Sequence, residues 1–186
     1  MVKANSALLV MDVVRIADDG SGYLARLKGA IAGARAAGMP VIYVVMRLRP
    51  GQPEVSPRNR TLATVLQAGL FSDGAPGTGI HDDVAPRPGD VVVTKRRASA
   101  FSGSDLDLML RARGINSLVL AGIATSGVVL HTLCQANDLD FGLTVLSDAC
   151  LDLDPEVHRT LIGKLFPQWA EVVTVEDWVA SLAHSG

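Results

Sequence analysis

Hydrophobic residues in this chain are concentrated in six short runs separated by longer amphipathic stretches. The runs do not alternate apolar and polar positions, and such continuous runs are typical of parallel strands that are buried on both faces. We therefore predict six strands, over residues 7–12, 41–46, 91–95, 117–122, 143–148 and 171–175.

Apolar residues at helical spacing between the runs predict the connecting helices. Helix signals cover residues 24–34, 60–71, 105–113, 127–138 and 155–166. Gly38 and Pro40 are suited to end the first of these helices. Ser104 and Asp154 are suited to cap the starts of two others. Alternating strands and helices predict an α/β fold, a doubly wound, mainly parallel six-stranded sheet with helices on both faces in a Rossmann-like three-layer sandwich.

The length of 186 residues predicts a single domain, residues 1–186. Residues 47–89 are rich in Pro, Gly and Arg and form an irregular insertion within it. Because a long connection beside the carboxyl ends of strands commonly shapes a binding site, we expect this insertion to border the functional site.

The amino-acid composition argues against several classes of function. Lys and Arg total 17 against 19 Asp and Glu, a net charge of −2, which argues against a nucleic-acid or membrane-surface binder. No apolar run is long enough to span a bilayer. The two cysteines have no CxxC spacing, and the first residues lack the features of a signal peptide. We expect a cytoplasmic protein whose partner is a small-molecule substrate.

Candidate chemistry lies at the strand ends, where open α/β sheets bind their ligands. Asp12 closes the first predicted strand, Lys95 closes the third, and residues 122–129 lead from the fourth into a helix. A carboxylate beside an ammonium group is a candidate acid/base pair, because the neighbouring charge and local desolvation together set its pKa. A structural ion pair at the sheet edge is the alternative.

Two motifs resemble those of the isochorismatase-like family, also called the cysteine hydrolase family. Lys95 precedes Ser-Ala-Phe at 99–101, and Gly-Ile-Ala-Thr stands at 122–125. The resemblance extends over residues 5–178 and implies the sheet order 3-2-1-4-5-6 and a homodimer or larger homo-oligomer. It also implies that Asp12 and Lys95 belong to an Asp–Lys–Cys triad. The family's turn commonly contains a non-proline cis peptide, here between Ile123 and Ala124, whose backbone contributes with Thr125 to an oxyanion hole.

The nucleophile of that triad is missing. The family pattern places a cysteine at position 128, where this chain has Val128, and valine cannot attack a carbonyl carbon. We expect Cys134 and Cys150 to be inert thiols packed in the core. Ser126 opens the predicted helix, and we expect it to act as an N-cap and not as a substitute nucleophile.

Two functions remain open. Isochorismatases proper resemble this chain in lacking the cysteine, and they hydrolyse a vinyl ether by protonating carbon. Asp12 is suited to be that acid, with Lys95 as its electrostatic partner. The alternative is a catalytically inactive family member that serves as a ligand-binding or oligomeric partner protein.

Ligand-binding residues are less sharply indicated. Arginines cluster in the insertion and after Lys95, and guanidinium groups suit an anionic substrate, so we expect Arg47, Arg97 and Phe101 to contact it. The histidines match no metal-ligand spacing, and we expect no metal. The glycine pattern at residues 20–25 does not directly follow the first strand, so we expect no dinucleotide or other cofactor.

Overall fold

Six strands pair in parallel in the order β3-β2-β1-β4-β5-β6. The computed structural model describes residues 5–14, 21–67 and 79–183. Part of the predicted insertion and the end of the helix predicted at 60–71 lie outside these ranges. The strands are β1 (Ser6–Met11), β2 (Val41–Met46), β3 (Val91–Lys95), β4 (Ser117–Ile123), β5 (Gly142–Leu151) and β6 (Glu171–Val173).

Helices cover both faces of this sheet. They are α1 (Tyr23–Ala36), α2 (Arg60–Gln67), α3 (Leu106–Ala112), α4 (Leu130–Asp138), α5 (Pro155–Thr160) and α6 (Val175–Ala183). A wide π-helical turn, Thr125–Val129, leads into α4, and a second one, Leu161–Leu165, follows α5. Short 3-10 turns lie at Asp82–Val84 and Phe166–Gln168.

The central strands are buried on both sides, which explains why their sequences lack an apolar–polar alternation. Leu9 and Met11 of β1 pack in a cluster with α3 and α4. Leu8 and Val10, which point to the opposite face, pack with α1 and α6. The doubly wound α/β fold and the family's sheet order are therefore confirmed, and every pairing between the strands is parallel.

Two elements near the carboxyl terminus differ from prediction. β5 continues to Leu151, past a register shift in its pairing with β4, instead of ending at 148. β6 ends at Val173, and the unpredicted α6 begins at Val175. Thr174 caps that helix, because its hydroxyl accepts the N–H of Asp177 (3.2 Å) and donates to the Asp177 carboxylate (2.8 Å). This spacing resembles a capping box and is visible in the sequence.

The observed first residues of α3 and α5 test the two N-caps that the sequence predicts. Asp154 caps α5 as predicted, accepting the N–H groups of Glu156 (2.8 Å) and Val157 (3.3 Å). The helix predicted from Ser104 begins at Leu106, although the Ser104 hydroxyl still accepts the Leu106 N–H at 3.3 Å.

Candidate active site

Asp12 and Lys95 form an ion pair above the carboxyl end of β2, which lies between their two strands. Asp12 Oδ2 is 2.8 Å from Lys95 Nζ, and Asp12 Oδ1 accepts the N–H of Met46 at 3.0 Å. The ammonium also donates to the carbonyl oxygen of Arg97 at 3.0 Å. Asp12 adopts a left-handed backbone conformation (φ 52°), which aspartate tolerates better than most residues.

This ion pair is almost completely removed from solvent. The exposed fraction is 1% for the Lys95 side chain and 7% for that of Asp12. Burial raises the pKa of the Asp12 carboxyl above its usual value, while the Lys95 charge, its hydrogen bond and the Met46 N–H oppose that rise. A carboxyl group with a raised pKa is suited to deliver a proton, and the adjacent ammonium stabilises the carboxylate that remains.

The turn after β4 requires a glycine. Gly122 has φ 154°, and a Cβ atom there would overlap with the carbonyl oxygen of Met11 on the neighbouring strand. A cis peptide bond joins Ile123 and Ala124, as the family resemblance predicts. The chain then enters the wide turn Thr125–Val129, so the close approach of β4 to β1 sets where this turn begins.

Two side chains from beyond β5 hold this turn, and the sequence reasoning missed both. The carboxylate of Asp152 accepts the N–H of Ser126 at 2.6 Å. The hydroxyl of Thr125 lies 2.8 Å from Nδ1 of His158 on α5. Burial lowers the pKa of His158, which favours its neutral form. The prediction that Ser126 is an N-cap is wrong, because Ala124 occupies that position.

A cavity of about 470 Å³ lies over the ion pair, and we call it the proximal cavity. Its walls come from the ends of β1 and β3, from α2 and from the turn before α4. Its lining includes Asp12, Lys95, Arg97, Ile123, Ala124 and Val128. The structure thus brings together six residues that the sequence analysis proposed as site residues.

Three nominated residues do not line the proximal cavity. Thr125 is completely buried and contributes to the turn through its bond to His158. Phe101 packs in the core, its ring 5.8 Å from that of Phe141, because an apolar ring at this position is covered by the sheet and helices. Arg47 is exposed, and its carbonyl oxygen accepts a hydrogen bond from Arg96. The geometry therefore does not support the expected substrate contacts of Phe101 and Arg47.

Neither cysteine lines the proximal cavity. Cys150 is buried, as expected, and burial raises the pKa of its thiol to about 12. The expectation that Cys134 is a core residue is wrong, because its position on α4 faces outward and the residue is exposed. Partial burial, together with the nearby charge of Asp138, raises the pKa of the Cys134 thiol, so neither thiol is activated.

A larger cavity, of about 640 Å³, opens elsewhere on the molecule. It lies at the amino ends of the strands, where Ser6, Ser117 and Gly142 begin β1, β4 and β5. The proximal cavity is the candidate active site, because parallel sheets place ligands at the carboxyl ends of their strands and the buried ion pair lies there. In the described ranges, no group of three or more His, Cys, Asp or Glu residues could hold a metal ion. No helix within those ranges is long and apolar enough to cross a membrane.

The parallel sheet, the buried Asp–Lys pair and the cis-peptide turn together define a three-layer α/β protein with a candidate site at the carboxyl edge of its sheet. The model of the isochorismatase domain matches residues 6–177. The chain therefore belongs to the isochorismatase family of hydrolases.

Relatives of this chain include a ureidoacrylate amidohydrolase, RutB, of Rhizobium rhizogenes. It is 34% identical over 178 residues, which cover 88% of this chain and 72% of the relative. A solved isochorismatase family protein from Desulfovibrio vulgaris is similar, with a TM-score of 0.84 and 28% identity over 97% of this chain and 100% of that one. N-carbamoylsarcosine amidase from Thermoplasma acidophilum gives a TM-score of 0.75 and 27% identity, covering 93% of this chain and 98% of that chain.

Proposed function

We propose that this hydrolase acts on a small anionic metabolite through acid/base chemistry of Asp12 and Lys95, without a cysteine nucleophile. The observation that carries the proposal is the buried 2.8 Å ion pair in a cavity whose wall contains Val128 at the position of the family's cysteine. Valine offers no lone pair for attack on a carbonyl carbon, so a thioester intermediate cannot form there.

The charges around the proximal cavity favour an anion. When Asp12 is protonated and able to act as the acid, Lys95 contributes a positive charge beside it that is not neutralised by the carboxyl group. Arg97 donates to two backbone carbonyl oxygens, those of Arg96 and Glu54, each at 2.7 Å. No carboxylate of the described segments lies within 4.0 Å of its guanidinium nitrogens, so its positive charge is uncompensated there. A carboxylate or phosphate on the substrate would provide that compensation.

The names of the relatives point to amide substrates, whereas the residues of this site favour protonation of an enol ether. In that reaction the Asp12 carboxyl gives its proton to the terminal carbon of the double bond. The ether oxygen stabilises the resulting cation, and water adds to it and returns a proton to Asp12. The hemiketal then collapses to a ketone and an alcohol. Lys95 stabilises the carboxylate between the two proton transfers.

A substrate panel with an acid-deficient variant tests this chemistry. Small enol ethers and small amides, each bearing a carboxylate, are incubated with the wild type and with Asp12→Asn. We expect turnover of at least one enol ether and a loss of about 10²- to 10⁴-fold in the variant, the usual contribution of a positioned general acid. Turnover that survives Asp12→Asn would show that another group is the acid. Binding of panel members without any turnover would favour an inactive ligand-binding protein.

A thiol placed at position 128 tests whether the pocket keeps its electrostatic character. In a variant carrying Val128→Cys, with Cys134 and Cys150 replaced, the start of α4 and Lys95 should both lower the thiol pKa. We expect rapid reaction with iodoacetamide near neutral pH. A rate no faster than that of the denatured variant would mean that side-chain packing has closed the pocket.

We further propose that the protein works in the cytoplasm as a homodimer or larger homo-oligomer. Leu108 is 68% exposed and Leu153 is 97% exposed, and exposed leucines of this kind are suited to a subunit contact. Light scattering at micromolar concentration tests the assembly, and a monomer would contradict it.

A further inference from the structure

A second depression continues from the proximal cavity along the surface of α4, and we call it the distal groove. It has a volume of about 600 Å³ and lies between α4 and the segment 97–102 that follows β3. Its lining shares five residues with the proximal cavity, namely Asn59, Thr61, Arg97, Ala98 and His131. The distal groove and the proximal cavity are therefore adjacent, and the same side chains border both.

The helix sets the length of the groove. His131, Gln135 and Asp138 line it from positions i, i+4 and i+7 of α4, which is one face of the helix. Seven residues at 1.5 Å each span about 10 Å. Across the groove, the Ser102 hydroxyl donates to Gln135 Oε1 at 3.1 Å and so joins the two walls.

The two ends of the groove carry opposite charges. Arg97 lies where the groove joins the proximal cavity, and Asp138 lies at the far end. Asp138 is exposed and forms no ion pair with a described residue. A linear ligand would satisfy both ends if it carried an anion at one end and a hydrogen-bond donor at the other.

We propose that the distal groove is a substrate subsite for an elongated molecule with a carboxylate or phosphate held by Arg97 and an amine or hydroxyl held by Asp138. The proposal rests on the proposed function, because it places the reacting group of the same molecule over Asp12. It identifies the substrate class as anionic and extended, with its distal end recognised along α4.

Cys134 provides a readout that does not depend on turnover, because its exposed side chain lines the groove. The rate at which its thiol reacts with Ellman's reagent is measured with increasing concentrations of linear ω-amino carboxylates, from β-alanine to 8-aminooctanoate. Each rate is compared with that of the same variant without ligand, because Asp138 itself influences the thiol. Octanoate, which lacks the amine, is the matched ligand control.

We expect 8-aminooctanoate to protect the thiol at lower concentration than β-alanine or octanoate. Asp138→Asn should weaken protection about two- to fivefold, the usual range for an exposed ion pair. Arg97→Gln should weaken it about tenfold or more, since this contact is a charge-assisted hydrogen bond. Asn137→Ala, an exposed position of α4 outside the groove lining, should leave it unchanged.

Three results would overturn the proposal. One is protection that is independent of ligand length, and another is protection that is insensitive to Asp138→Asn. The third is a thiol reaction that slows with protein concentration in the absence of ligand, which would show a second copy of the chain covering the groove. Enol-ether turnover without thiol protection would leave the proposed function standing and remove the subsite. Length-dependent protection of the thiol without turnover of an enol ether would leave the groove as a ligand-binding site and remove the proposed reaction.

Discussion

Replacing Lys95 with methionine should produce a stability loss that depends strongly on pH. The substitution keeps the length of the buried side chain but removes the charge that faces Asp12 at 2.8 Å. Breaking a buried ion pair from one side typically costs about 3–5 kcal/mol, because the remaining charge is left without a partner. At neutral pH we therefore expect Lys95→Met to lower the free energy of unfolding by about that amount.

The pH dependence follows from the pKa of Asp12. Burial already raises this pKa, and Lys95 is the main opposing influence, so removing Lys95 raises it further. At pH values between the ordinary aspartate pKa and this raised pKa, the Asp12 carboxyl is protonated in the folded state and ionised in the unfolded state. Stability therefore falls as pH rises, by about 1.4 kcal/mol per pH unit. Between pH 5 and pH 7 the extra loss reaches about 2.7 kcal/mol if the raised pKa exceeds 7.

Urea unfolding of Lys95→Met at pH 5 and pH 7 measures this slope. The double variant Lys95→Met/Asp12→Asn is the control, because it has the same cavity shape and no titrating group at position 12. The difference between the single and double variants should grow with pH. An equal difference at both pH values, or a loss below about 1 kcal/mol at pH 7, would refute the reasoning that a buried carboxylate depends on Lys95.

Two further predictions concern the backbone and the thiols. Gly122→Ala should prevent stable folding because its Cβ would overlap with the backbone of Met11. Gly38 also has a positive φ, of 68°, but no atom lies within 4 Å of an added Cβ, so Gly38→Ala should cost only about 1 kcal/mol by thermal unfolding. In the native protein Cys134 should react with Ellman's reagent within minutes, whereas Cys150, which is only 4% exposed and has a pKa of about 12, should react only after denaturation. Equal native reactivity of the two thiols would contradict the placement of Cys150 in the core.

The strands were predictable from sequence because their signals are local and strong, whereas their order in the sheet came from the family resemblance. Runs such as 7–11 and 41–46 are apolar throughout, and burial on both faces of a sheet demands that composition. The end of β5 was not predictable in the same way. Its last residues, up to Leu151, extend the strand because β4 pairs with them after a register shift, and pairing across the sheet leaves no local pattern.

For the site, the sequence identified groups at strand ends but not the contacts that hold them. Asp12 and Lys95 were recognisable because each closes an apolar run, and parallel strands bring their carboxyl ends together. Asp152 and His158 were missed because their partners, the Ser126 N–H and the Thr125 hydroxyl, lie 26 and 33 residues away in the chain and leave no local pattern. The misplacement of Cys134 had another cause, since a lone thiol on an amphipathic helix gives little indication of which side it faces.

Helix α4 and the turn before it carry residues for both the proposed reaction and the proposed ligand recognition. Val129, Leu133 and Ala136 are fully buried against the sheet and fix the helix in place. Val128 in the preceding turn lines the proximal cavity, and Asp138, ten residues further along the chain, lines the distal groove. Because the chemistry at position 128 and the recognition at position 138 are about 15 Å apart along the axis, either residue can change without moving the other. On the proposed function, valine at position 128 changes the reaction that the cavity can support and leaves the groove available for an extended substrate.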